Sequence, residues 1–270
     1  MIKFLLALLV CYIAIVVALF AFQRKLLYFP DPNIMLPEYY GLEQFKDLVA
    51  ISKDGKRIQF WYRQARTGYP TIVYFHGNAA NLGNRARSYH SFVEQGFGIL
   101  ALSYRGYGKS EGEPSEQGIY HDARAVIGYA LSELRLSRSR LIYYGESLGS
   151  GVAVQMATEV APGAIVLEAP YTSVAARAAE IYFYVPVRLL IKDRFESLKK
   201  IKRVTSPLLI FHGEKDTTIP AQHGRAILAA ANDPKDAVFF VDRGHNDFDR
   251  EAISAHVLDF ATKHGLINLQ

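Results

Sequence analysis

Seven apolar runs that do not alternate constrain the fold of this chain more than any other feature. They are RIQFWY (57–62), TIVYFH (71–76), GILALSY (98–104), LIYYGE (141–146), AIVLEA (164–169), PLLIFHG (207–213) and AVFFVD (237–242). A strand with one wet face alternates polar and apolar residues. A strand apolar on both faces needs cover on both, which a mostly parallel sheet receives from flanking helices. Longer polar or amphipathic stretches separate the runs, at about 82–95, 116–135, 148–160, 220–231 and 248–263. In the second of these, Ile119, Ala123, Val126, Ile127, Ala130, Leu131 and Leu134 share one helical stripe behind a Pro114–Ser115 start signal. The expected fold class is therefore α/β, one doubly wound, mostly parallel sheet. With 50% hydrophobic and 21% charged residues over 270 positions, the chain can bury a large core and is neither disordered nor fibrous.

The first segment does not belong to that pattern. From Phe4 to Phe22 nineteen residues pass without a charge, enough to cross about 28 Å of hydrocarbon as a helix. The run exceeds the apolar stretch of a usual signal peptide and ends in Phe20-Ala21-Phe22-Gln23, with no small-x-small cleavage site. Residues 1–25 are thus expected to form an uncleaved membrane anchor. Lys3 and the terminal amine on one side nearly balance Arg24 and Lys25 on the other. The following LLYFPDPNIMLP is expected to run extended along the membrane surface to a domain over 26–270. Cys11, the single cysteine, lies mid-span, so no intramolecular disulfide is possible. The net charge of +5 is scattered among acids, which suits mild membrane affinity and gives no aromatic-basic pattern for nucleic acid.

Gly-x-Ser-x-Gly occurs twice, at Gly145–Gly149 and Gly108–Gly112, so context has to choose. A serine set on a sharp strand-to-helix turn needs a strand before it and small residues after it. Ser147 has both, with Leu141–Tyr144 ahead and Gly149-Ser150-Gly151-Val152-Ala153 behind, whereas Ser110 sits in a glycine-rich loop ahead of Pro114. Such a serine needs a base and an orienting acid, arriving in the order Ser, acid, His. Of eight histidines, His245 follows the last apolar run in a turn with Gly244. His212 lies in a strand run, His256 and His264 in the last helical segment, and His90, His121 and His223 read as surface-helix residues. Asp216 follows the strand at 208–211 and is the favoured acid; Glu168, ending the strand before it, is the fallback. Glu214 and Asp242 read as solvated loop charges. The amides of Asn78, in the turn Phe75-His76-Gly77-Asn78, and of Leu148, after the serine, are expected to converge as an oxyanion hole, with His76 shaping the turn.

Taken together, His76-Gly77-Asn78, Tyr104 to Gly112, Gly145-Glu146-Ser147-Leu148-Gly149, Gly213-Glu214-Lys215-Asp216 and Gly244-His245 resemble the α/β-hydrolase superfamily. Within it the chain is most similar to membrane-anchored serine hydrolases of the bud-emergence type, whose relatives include acyl-protein thioesterases and monoacyl lipases. The resemblance spans about residues 25–265 and implies Ser147 as nucleophile, Asp216 as acid and His245 as base. Arg243 stands where relatives often carry a second glycine.

Such folds place a cap over the active site, here between the fifth run and the sixth, at about 171–204. It carries Ile181-Tyr182-Phe183-Tyr184-Val185 and Leu189-Leu190-Ile191, then the basic Lys199-Lys200-Ile201-Lys202-Arg203. Those apolar residues fit either an acyl chain above the site or simple packing on the core. The expected function is a membrane-tethered hydrolase of carboxylic esters or thioesters, with no metal or organic cofactor implied and no nucleic-acid partner. A serine exopeptidase and a non-catalytic interaction platform are the alternatives on the same fold.

Overall fold

Each of the seven apolar runs is a strand in the computed structural model, which describes residues 1–268. The chain order is α1 (Ile2–Leu27), β1 (Phe29–Pro30), β2 (Lys46–Ile51), β3 (Arg57–Arg63), β4 (Thr71–Phe75), β5 (Ala79–Ala80), α2 (Ala86–Glu94) and β6 (Gly98–Leu102). There follow α3 (Glu116–Ser132), β7 (Leu141–Glu146), α4 (Leu148–Ala157), β8 (Ala164–Glu168) and three short helices, α5 (Val174–Ile181), α6 (Val187–Leu190) and α7 (Ser197–Ile201). The chain closes with β9 (Leu208–Gly213), α8 (Ala221–Ala230), β10 (Lys235–Phe240) and α9 (Arg250–Lys263).

Eight strands form the main sheet in the order β10-β9-β8-β7-β4-β6-β3-β2, parallel throughout except that β3 runs antiparallel to β6 and to β2. Strand β2 was not among the expected runs. It is an edge strand that begins Lys46-Asp47, which leaves an apolar run of only four residues, Leu48 to Ile51, with Val49 and Ile51 exposed. Inside the sheet the apolar runs conceal a period of two. Val73 and Phe75 face a core built on α3, α4, α7 and α8, while Ile72 and Tyr74 face a second core built on α2 and α9.

The linker after α1 is extended, as expected, but it does not simply skirt the domain. Phe29–Pro30 pairs in parallel with Ala79–Ala80, and Tyr28 and Ile34 are buried. Two apolar side chains and a free strand edge gain more by joining the domain than by staying wet. Helix α1 is the one helix among the described residues long and apolar enough to cross a membrane.

The parallel register sets the functional edge. Phe75 pairs with Gly145, Glu146 with Glu168, and Gly213 with Phe240. The loops that leave β4, β7, β9 and β10 therefore emerge side by side at the carboxyl ends of the strands.

Candidate active site

Ser147 sits between β7 and α4 with φ 50° and ψ −114°, a left-handed conformation that a side chain adopts only where the surroundings impose it. The flanking glycines show what imposes it. A Cβ on Gly145 would stand 2.6 Å from the Gly149 carbonyl and the Ser150 Cα, and one on Gly149 would collide with the Phe75 carbonyl. Strand, turn and helix are packed backbone to backbone, and the Ser147 amide donates to the Glu168 carbonyl at 2.8 Å. The serine hydroxyl is thereby aimed away from the sheet, over the carboxyl edge.

The His245 ring meets it there, with Nε2 3.0 Å from Ser147 Oγ and Nδ1 2.7 Å from Asp216 Oδ2. Since a carboxylate only accepts, Nδ1 carries the proton and Nε2 presents its lone pair to the serine. Asp216 is itself pinned, its Oδ1 accepting the amides of Thr218 and Ile219 at 2.8 Å each. Burial alone would raise its carboxyl. The contacts from His212 and His245 and the Ile219 amide outweigh that and hold it well below the usual carboxylate range. His212 donates to the Ile219 carbonyl at 2.8 Å, which keeps the 216–219 turn in place.

The other candidates are engaged elsewhere. Ser110 is buried in its loop, accepting from the Gln59 amide and donating to the Ser103 carbonyl. Glu168 takes hydrogen bonds from Tyr144 and from Arg250. His223, expected on the surface, is buried, where its Nδ1 accepts from Thr172 and its Nε2 faces Glu180 at 3.2 Å. Its cover comes from Thr172 and from Glu180 of α5, a contact that helical periodicity alone does not reveal. His76 is buried too, with Nδ1 2.7 Å from the Gly77 carbonyl. Burial and the nearby Arg85 charge push its imidazole down to about 3, so it stays neutral and shapes the turn.

The amides of Asn78 and Leu148 have no acceptor among the described residues, and both residues line the cavity at Ser147. The Asn78 turn is held by the chain leaving α1: Asn78 Nδ2 donates to the Leu27 carbonyl at 2.9 Å, and the Phe29 amide donates to the Asn78 carbonyl at 2.9 Å.

Two residues at this edge were not singled out by sequence. Arg85 bridges the two loops, donating to Glu146 Oε1 and Oε2 at 3.0 and 3.3 Å and to the Ala79 carbonyl at 2.7 Å. Glu146, the residue before Ser147, also accepts from Tyr74 at 2.7 Å. Burial opposes its ionisation, but the Arg85 charge prevails and holds it below the usual carboxylate range. The position of Glu146 inside the Gly-x-Ser-x-Gly motif was the available signal; Arg85 carried none.

Above these loops lies a cavity of about 440 Å³ that contains Ser147 and His245 and is walled by the α5–α6 segment and by one side of α1. Such an arrangement can bind an acyl group, activate a hydroxyl and receive a developing oxyanion. A family model described as serine aminopeptidase, S33, matches residues 69–194. An uncharacterized protein of Mycobacterium tuberculosis is 36% identical over 227 residues, covering 83% of this chain and 81% of that one. The chain belongs to the α/β-hydrolase superfamily. This α/β hydrolase is an enzyme of the serine-hydrolase class. The lysophosphatidylserine lipase ABHD12 of Danio rerio is 32% identical over 76% of this chain, though the match covers 58% of that protein. In fold, the hydrolase is similar to the Pyrococcus furiosus esterase Pf2001, with a TM-score of 0.71 at 18% identity over 88% of this chain and 97% of the other.

Proposed function

We propose that this hydrolase is a membrane-tethered enzyme that cleaves carboxylic esters or thioesters of lipid-like acyl groups through Ser147, His245 and Asp216. The observation that carries the reading is the continuous hydrogen-bonded path from Ser147 through His245 to Asp216, opening into an apolar cavity. Ser147 Oγ forms a bond to the acyl carbonyl carbon while its proton passes to His245 Nε2. The Asn78 and Leu148 amides receive the oxyanion, to which the N-terminus of α4 also contributes. Collapse breaks the bond to the leaving alcohol or thiol, which takes the proton from His245. Water then attacks the acyl-enzyme, gives its proton to His245, and the acid departs as Ser147 is reprotonated. Asp216 stays ionised and holds the imidazole tautomer. The apolar helix α1 serves as the tether, and a fatty acyl group matches the apolar walls.

The peptidase alternative needs a free carboxylate to hold an amine. The two carboxylates lining the cavity, Glu146 and Asp193, are each paired with an arginine, Arg85 and Arg24. Labelling of the full chain with a fluorophosphonate probe tests the assignment. Wild type should label and turn over acyl esters, and S147A and H245A should not label. Undiminished labelling of S147A, or turnover of aminoacyl amides alone, would refute it.

A further inference from the structure

Along α1, residues Val16, Leu19, Gln23 and Leu27 are half-buried while their neighbours are exposed. Their spacing of three, four and four is one helical stripe, and all four line the cavity that holds Ser147. The α5–α6 segment closes the other side with Ile181, Tyr182, Leu190 and Ile191. The two walls are bonded to each other. Arg24 donates to both oxygens of Asp193 at 2.8 and 3.2 Å, Gln23 pairs with the Lys192 amide at 2.7 Å, and the Tyr12 hydroxyl reaches the Tyr184 carbonyl at 2.9 Å.

The contact at Tyr12 lies twelve residues before Arg24, about 18 Å along the helix axis. If α1 crosses the bilayer, the α5–α6 segment dips into the hydrocarbon beside it. The segment is built for that position: Phe183 and Leu189 are 83% and 85% exposed, with Ile181 and Tyr184 half-exposed next to them. An aqueous surface gives no reason to display such side chains, whereas lipid does.

We infer that α1 is the specificity wall of the acyl channel as well as a tether. The substrate is a membrane-resident ester whose acyl chain enters sideways from the bilayer and lies along Leu27, Gln23, Leu19 and Val16 with its carbonyl at Ser147. The inference rests on the proposed ester-cleaving function. From Leu27 to Val16 the stripe spans about 16 Å, and at roughly 1.2 Å per bond of extended chain it holds a single chain of about 13 carbons. Leu19 lies about 12 Å along that path from Leu27, level with roughly the tenth carbon, so its size sets the preferred chain length.

The test uses the full chain in detergent micelles with p-nitrophenyl butyrate, octanoate, laurate and palmitate. L19W should lower the laurate-to-butyrate ratio of kcat/KM by at least tenfold, since each methylene denied burial is worth roughly fourfold. L19A should raise the palmitate-to-laurate ratio, and V10W, on the opposite side of α1 from the cavity, should keep the wild-type profile. If L19W abolishes fluorophosphonate labelling, L19A alone decides. Wild-type chain-length profiles in both Leu19 variants, with wild type active, would overturn the inference and leave the proposed function standing. A wild type that cleaves no ester and takes no label would overturn the proposed function itself.

Discussion

Replacing Arg85 by Met probes the clamp between the Asn78 turn and the Ser147 turn. The change removes two charge-assisted hydrogen bonds to Glu146, one to the Ala79 carbonyl and a longer one to the Asn81 carbonyl, leaving Tyr74 as the remaining partner of that carboxylate. Breaking one side of a buried ion pair costs about 3–5 kcal/mol. The two side chains retain 11% and 15% exposure, so water recovers part of this and the lower end, about 3 kcal/mol, is expected. For a chain of this size that corresponds to roughly 6–12 °C in Tm. Replacing both partners, as in R85M/E146L, removes the stranded charge and should recover much of the loss. The pH dependence gives a second, signed readout. In wild type the Glu146 carboxyl lies below its usual value, so its contribution is present above the unfolded pKa and lost as pH falls. In R85M the carboxyl is buried without its cation and its pKa rises, so the variant gains relative stability as pH falls and loses it as pH climbs. Thermal unfolding of the full chain in detergent from pH 4 to pH 8 measures both. A loss under about 1 kcal/mol, no recovery in the double variant, and parallel pH curves would refute the clamp.

Three further outcomes follow from the same geometry. D216N keeps the shape of the 216–219 turn but removes the acceptor that orients His245, and should lower kcat for a short-chain ester by about 10⁴-fold; a loss under tenfold would place the orienting acid elsewhere. S110A should label with fluorophosphonate as wild type does while losing about 1–2 kcal/mol, because its hydroxyl serves two buried backbone groups; loss of labelling in a folded S110A would contradict the choice between the two motifs. His76 is pushed down to about 3 from an ordinary value near 6.5, so the unfolded chain binds its proton first and stability drains away as pH falls below about 6.5. The stability advantage of wild type over H76N should therefore be smaller at pH 5 than at pH 7.5 by roughly 2 kcal/mol, and a constant difference would show that the ring is solvated.

The seven strands, the strand-to-helix setting of Ser147 and the placing of Asp216 and His245 on loops at the same sheet edge were legible in the sequence because each is a local signal. Apolar runs without alternation report two-sided burial, and a Gly-x-Ser-x-Gly motif between a strand and a helix reports backbone crowding that only Gly145 and Gly149 relieve. Strand β2 was illegible because its apolar run is only the four residues Leu48 to Ile51 at a sheet edge, and the burial of His223 because its cover comes from a segment some fifty residues away.

Local pattern therefore determined the fold class and named the three side chains at the carboxyl edge. Tertiary structure decided everything that depends on two distant segments meeting: the tautomer of His245, the Arg85–Glu146 clamp, the stitching of Asn78 to the chain leaving α1, and the stripe of α1 that walls the cavity. The apolar run at the start of the chain says only that it prefers hydrocarbon, since every position along it is apolar and no periodicity marks a face. Which face is covered depends on Asp193 and the residues beside it, some 170 positions later, and so on a packing energy that no window of sequence contains.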